Sequence, residues 1–195
     1  MRRDTAGDQG DKKAGSLAPG DASGGTPQLE AGAGEEGRVW RVGVISDTHG
    51  RLDDEILDLF AGVDRIVHAG DVGDERVLAR LALVAPVTAV HGNMDAGLPT
   101  ADLPADATLE VGRARILVGH VKGTLLRAHD PAREGMAVVV TGHTHRAQIA
   151  NDGGVVYLNP GTANRTRGFG RPASVALVEV DGGAVRAEIV PLEGS

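Results

Sequence analysis

From Val39 onward, short apolar runs alternate with stretches of helical periodicity, and most apolar runs end in a polar cluster. Val39 to Ser46 is rich in β-branched residues and has the length of a buried strand. Asp53 and Asp54 then precede Ile56, Leu57, Leu59 and Phe60, the spacing of a capped helix with a buried stripe. Arg65 to His68 reads as a short strand, and Asp74 to Leu83 as a second helix with Val77, Leu78 and Leu81 inward. Val87 to Val90 reads as a third strand. This βαβαβ order predicts a parallel sheet, and such sheets bind ligands beyond the carboxyl ends of their strands.

The second half is patterned differently. Leu109 to Val111 and Arg115 to Val118 read as a hairpin about Gly112-Arg113, and a weaker helical pattern covers Thr124 to Ala132. Ala137 to Thr141 is a strongly apolar strand. Two further hairpins are predicted: Gln148–Ala150 with Val155–Leu158, and Ser174–Val180 with Ala184–Val190, each turning on Asp and Gly. A parallel-leaning first half and a hairpin-rich second half suggest two sheets packed face to face with helices outside. Residues 1–37 break the pattern. They hold nine of the 29 glycines and almost no large apolar residue, a composition too poor in burial to offset ordering entropy. The expectation is a disordered tail over 1–37 and one folded domain over 38–195.

Composition narrows the chemistry. A net charge of −7 argues against a general nucleic-acid surface, which needs clustered Lys and Arg. With no cysteine, disulfides, thiolate metal sites and cysteine nucleophiles are excluded, so any metal must rest on His, Asp, Asn or Glu. No apolar stretch approaches the ~20 residues of a membrane span, and Arg2-Arg3 is not followed by the apolar core of a signal peptide. The expectation is a soluble, cytoplasmic chain.

The polar clusters at the strand ends are Asp47-Thr48-His49, Gly70-Asp71, Gly92-Asn93-Met94-Asp95, His120 and Gly142-His143-Thr144-His145. In an extended segment, residues two apart point to one side, so Asp47 and His49 can aim at a common point. A lone Asp-x-His is weak evidence, and Asp71 alone could cap a helix; seven N and O donors in five clusters are stronger. Their order, together with Val44–Gly50, His68–Asp71 and the Asn159-Pro160-Gly161-Thr162 turn, resembles the calcineurin-like metallophosphoesterase superfamily, in its small bacterial and archaeal phosphodiesterase branch. The resemblance covers residues 38–190. It implies an α/β fold, a four-layer α/β/β/α sandwich of two mixed sheets flanked by helices. It also implies two divalent ions, manganese first, with nickel, iron, zinc or magnesium as alternatives. Asp47, His49 and His145 would hold one ion, Asn93, His120 and His143 the other, and Asp71 would bridge both. Asp71, Asn93 and His120 would be the catalytic members of that set. Two such ions ~3.5–4 Å apart share a hydroxide as nucleophile and clamp phosphoryl oxygens.

The implied activity is hydrolysis of small phosphoesters, most of all phosphodiesters. The alternatives are a phosphomonoesterase using the same site, and a non-catalytic scaffold such as the retromer subunit of this fold. Met94 stands where larger members of the superfamily carry a histidine, which removes an obvious proton donor and favours good leaving groups. Arg165, Arg167 and Lys122 are the nearest cations for a substrate phosphate, with solvated loop charges as the competing reading. His68 and His91 read either as partners that orient ligands or as packed histidines, and His129 as solvated.

Overall fold

The structure, a computed structural model, describes residues 37–168 and 170–193. The tail expected over 1–37 lies, apart from Gly37, outside the described residues. Among the described residues, ten strands form two five-stranded mixed sheets. The first sheet contains β1 (Val39–Ile45), β2 (Arg65–His68), β3 (Val87–Ala89), β9 (Ser174–Asp181) and β10 (Ala184–Pro191), in the order β10-β9-β1-β2-β3. The second contains β4 (Asp106–Val111), β5 (Ala114–Gly119), β6 (Val138–Val140), β7 (Gln148–Asp152) and β8 (Val155–Asn159), in the order β4-β5-β6-β8-β7. Among the described residues, three short α-helices, α1 (Asp54–Leu59), α2 (Glu75–Leu81) and α3 (Lys122–Ala128), and two 3-10 turns accompany the sheets.

Side-chain alternation along the central strands builds the layers. On β1, Val42 and Val44 face the inter-sheet core, where they meet Ile116, Val118, Val138 and Val140 of the opposite sheet. Ile45 faces the other way, into a second core with Ile56 of α1, Phe60 just after it, and Val77 and Leu81 of α2. Leu117 and Val139 likewise turn outward to Leu125 of α3. The result is the expected α/β/β/α sandwich.

β1 pairs in parallel with β2, β2 with β3, β5 with β6, and β6 with β8. The final hairpin, β9–β10, does not stay with its neighbours in sequence. β9 returns to pair antiparallel with β1, placing Val42 opposite Val178. The helix expected over Thr124 to Ala132 instead occupies Lys122–Ala128. It ends at His129, whose extended backbone (φ −126°, ψ 147°) leads towards Pro131. Among the described residues, no helix is long and apolar enough to cross a membrane.

Candidate metal centre

All seven predicted donors follow the carboxyl ends of strands. Asp47 and His49 follow β1, Asp71 follows β2 and Asn93 follows β3, while His120 follows β5 and His143 and His145 follow β6. The loops after β1 and β2 run side by side, with the Asp47 amide donating to the Gly70 carbonyl (3.0 Å) and the His49 amide to Asp71 (2.9 Å). In the other sheet the Gly142 amide donates to His120 (3.0 Å). Side chains then cross between the sheets. The His143 amide donates to Asp47 Oδ2 (3.1 Å), and His120 Nδ1 to the Ala69 carbonyl (2.7 Å).

This assembly has a backbone signature. Among the described residues, the non-glycines with positive φ are Asp47, His49, Asp71, His143 and His145. Each adopts the left-handed conformation at a cost of order 1–3 kcal/mol, so five of the seven donors are aimed by unfavourable backbone geometry. Two glycines allow the close approach. A Cβ on Gly92 would collide with the Asp71 carboxylate and amide, and one on Gly142 would collide with the Ser46 hydroxyl and reach 2.8 Å from Asp47 Oδ2.

The donors converge. His145 Nε2 lies 3.1 Å from Asp47 Oδ1 and 3.4 Å from His49 Nε2. Asp71 Oδ2 lies 3.4 Å from His120 Nε2 and 4.0 Å from His49 Nε2. Asn93 Oδ1 lies 3.2 Å from His120 Nε2 and 2.9 Å from His143 Nδ1. Asp47, His49 and His145 form one group with ligand atoms all within 4.8 Å of one another, and Asp47, Asp71 and His120 form another.

Proton positions decide what this convergence means. A backbone carbonyl only accepts, so His120 Nδ1, facing Ala69, and His145 Nδ1, facing the Arg167 carbonyl at 2.9 Å, carry protons. Each neutral ring then points an Nε2 lone pair at oxygens that also carry only lone pairs. Such a cluster is relieved by protonation or by cations. The Nδ1–H to backbone carbonyl pattern is the one that orients imidazoles onto metals, so the residues fit divalent ions.

Without cations, the protein field favours protonation. Burial alone would lower His120, but its bonds to Asp71 and Ala69 outweigh burial and hold it above its ordinary value. The Asp47 carboxylate raises His145. Burial wins at His49, which is lowered despite Asp71 and Asp47. Burial opposes ionisation of Asp71, yet bonds from His120 and the Met94 amide hold it below the usual carboxylate range.

A second layer of residues supports the centre. The buried Asp95 carboxylate accepts from the amides of Val72 (3.2 Å), Gly73 (2.8 Å) and Gly92 (2.7 Å) and from the Thr100 hydroxyl (2.8 Å), tying the Asp71 loop to the Asn93 loop. Thr162 Oγ1 donates to the Asp47 carbonyl (2.9 Å), Asn164 Nδ2 to Thr48 (3.0 Å), and Asn159 Nδ2 to Gly142 (2.7 Å), so the Asn-Pro-Gly-Thr turn braces loops from both sheets. His68 is fully buried, with Nε2 2.9 Å from Thr48 Oγ1, and burial lowers its pKa to about 4. Asp95 closes the Gly-Asn-x-Asp cluster, and its fixed place there was the available signal.

The cations divide. Arg165 is taken up by Glu55 and by Asp53 Oδ2 at 3.6 Å, so its charge is already engaged by two carboxylates. Lys122 stacks over the Tyr157 ring at 4.5 Å. Arg167 is exposed, and its charge is near enough to His49 to help lower that pKa. His129, expected in solvent, lies between Glu134 (3.0 Å) and Asp106 (3.5 Å).

Comparison with known proteins places this geometry. Residues 40–183 match the calcineurin-like phosphoesterase superfamily domain. A probable metallophosphoesterase of Methanocaldococcus jannaschii is 36% identical over 137 residues, 65% of this chain and 69% of that protein. The phosphodiesterase YfcE of Escherichia coli is 32% identical over 161 residues, 70% of this chain and 85% of its own. The crystal structure of a conserved protein from Streptococcus pneumoniae superposes with a TM-score of 0.62 at 26% identity, covering 79% of this chain and 90% of that one. With the family match spanning residues 40–183 and relatives at 36% and 32% identity, this chain belongs to the calcineurin-like phosphoesterase superfamily.

Proposed function

We propose that the chain is a two-metal phosphodiesterase acting on small phosphoesters in the cytoplasm. Asp47, His49 and His145 hold one ion, Asn93, His120 and His143 the other, and Asp71 bridges them. The observation that carries this reading is the facing of lone pairs between the imidazoles and the oxygens of Asp47, Asp71 and Asn93. When bound, divalent ions supply Lewis acidity towards phosphoryl oxygens and make water a nucleophile near neutral pH. Carboxylate, amide and imidazole donors without thiolate suit manganese, our first choice.

The chain's own residues do the rest. Asp71 is held by the Met94 amide at Oδ1 (2.8 Å), leaving Oδ2 turned towards His120 and His49, the orientation a bridging carboxylate needs. Asn93 brings a neutral oxygen and so leaves the centre positive enough to attract an anionic ester. Arg167 is the arginine we assign to a phosphoryl oxygen; Arg165 is not retained in that role. The Met94 side chain offers no proton, and His91, which lines the same cavity as Asn93, is an imidazole outside the donor set. A monoesterase would use the same centre, and the similarity to a phosphodiesterase favours the diester reading.

The test pairs two aspartates. Asp71→Asn removes a charge and a ligand from both ions, and is expected to stay folded while losing metal and lowering turnover of an aryl phosphodiester by at least 100-fold. Asp74 accepts from the Arg76 amide (2.8 Å) at the start of α2, outside the cluster. Asp74→Asn is expected to keep its metal and most of its turnover. Metal analysis and rates on both folded proteins decide it, and full occupancy with normal rates in Asp71→Asn would end the two-metal reading.

A further inference from the structure

Next to Asn93 and His120 the surface opens into a cavity of about 210 Å³. Val121, Leu125 and Ala128, in and beside α3, line it together with Gly119 and Ala105, so its walls are mainly apolar. Among the described residues, no lysine or arginine lines it, and the one carboxylate that does, Asp106, lies 3.5 Å from His129 Nε2. A second cavity, bordered by Arg51, Arg76 and Arg80, is more cationic, but those guanidinium groups pair with Asp53, Asp74 and Asp54.

We propose that the cavity beside Asn93 is the subsite for one ester group of the substrate, and that this group is neutral, apolar and about the size of a single ring. The proposal rests on the phosphodiesterase reading above and adds the class of diester. Three observations carry it. The first is continuity: Asn93 and His120 belong both to the metal-binding cluster and to the cavity wall, so a phosphorus held at the cluster has a substituent at the cavity mouth. The second is charge. A polynucleotide or polyphosphate would bring further anions along this path and would meet no cation, whereas a neutral group loses nothing by entering. The third is size. An apolar cavity of about 150 Å³ suffices for benzene, so this one accepts a single ring without a large void. His91 and Thr124 also line it and give the group polar neighbours.

The test uses the full, metal-loaded chain and two non-hydrolysable probes, phenylphosphonate and methylphosphonate, with binding followed by calorimetry. Phenylphosphonate is expected to bind about tenfold more tightly, the gain from burying one ring. Ala128 is exposed on α3 and Ala105 is exposed ahead of β4, so Ala128→Trp and Ala105→Trp fill the cavity from separate segments without entering the core. In each, the phenyl preference should fall towards onefold while methylphosphonate binding holds. Equal binding of both probes to the native chain, or a preference that survives both tryptophans, overturns the subsite and leaves the metal centre standing. Binding of neither probe overturns the phosphodiesterase reading and the subsite with it.

Discussion

Asp47 and His145 lie within the protein, at 0% and 9% exposure, whereas Asn93 and His143 stand open to solvent at the other side of the same cluster. The buried side has Asp47 and shares Asp71, with two imidazoles to balance them. The open side shares Asp71 but otherwise offers a neutral amide and two imidazoles. On the proposed assignment, a divalent ion would be held by more negative charge on the buried side. The open side borders the apolar cavity. On our reading, one half retains its ion and the other half meets the substrate.

The largest expected effect breaks that asymmetry directly. Titrating the metal-free protein with manganese should give two binding steps at least tenfold apart in affinity. His145→Ala should abolish the tighter step and His143→Ala the weaker, and each should lower turnover by at least 100-fold. A single step of two equal ions, or loss of the same step in both variants, would show the halves to be equivalent.

A smaller effect sharpens the comparison from the supporting layer. Asp95→Asn replaces one of two accepting oxygens with a donor, so among Val72, Gly73, Gly92 and Thr100 at least one donor loses its acceptor. The expected cost is about 1–3 kcal/mol, a drop in melting temperature of about 3–10 °C. Because Gly92 precedes Asn93, the weaker metal step should weaken further while the tighter step holds. An unchanged melting curve would mean these bonds are replaced by water.

The smallest effect is a control away from both halves. Glu134 raises the pKa of His129 above its ordinary 6.5, so this stabilisation is full below about pH 6.5 and is lost as pH rises through the folded value. Glu134 itself is lowered from 4.5, so its share is full above about pH 4.5 and fades as pH falls through its folded value. His129→Gln should therefore cost most between those limits, about one to three degrees of melting temperature in this exposed pair. The deficit should shrink by pH 9, and a deficit independent of pH would mean packing alone.

Legibility from sequence follows the range of the forces. The strand from Arg65 to His68 was readable to the residue, and β1 to within one, because alternation and turn residues act locally. The convergence of the seven candidate residues was readable because each follows a strand, and a strand end is visible in the pattern. Which sheet receives the last hairpin was not, since β9 pairs with β1 across more than 130 intervening residues and either sheet edge suits its alternation. The role of Asp95 was hidden for a related reason: its partners at Val72 and Gly73 are backbone amides, which carry no side-chain signature. Arg165 lay near the right loop, but Glu55 lies 110 positions earlier and its claim on that charge appears only in three dimensions.

The bond from the His143 amide to the Asp47 carboxylate joins residues 96 positions apart and spans the two sheets. Neither sheet can complete the cluster by itself, so the centre forms only after both have docked and the loop-closure entropy between them has been met. On the proposed two-metal assignment, tight ion capture is a late event in folding, and an intermediate with one finished sheet has no complete cluster to offer. A metal bound there would latch the finished sandwich, favouring the fully docked state over every partly assembled one.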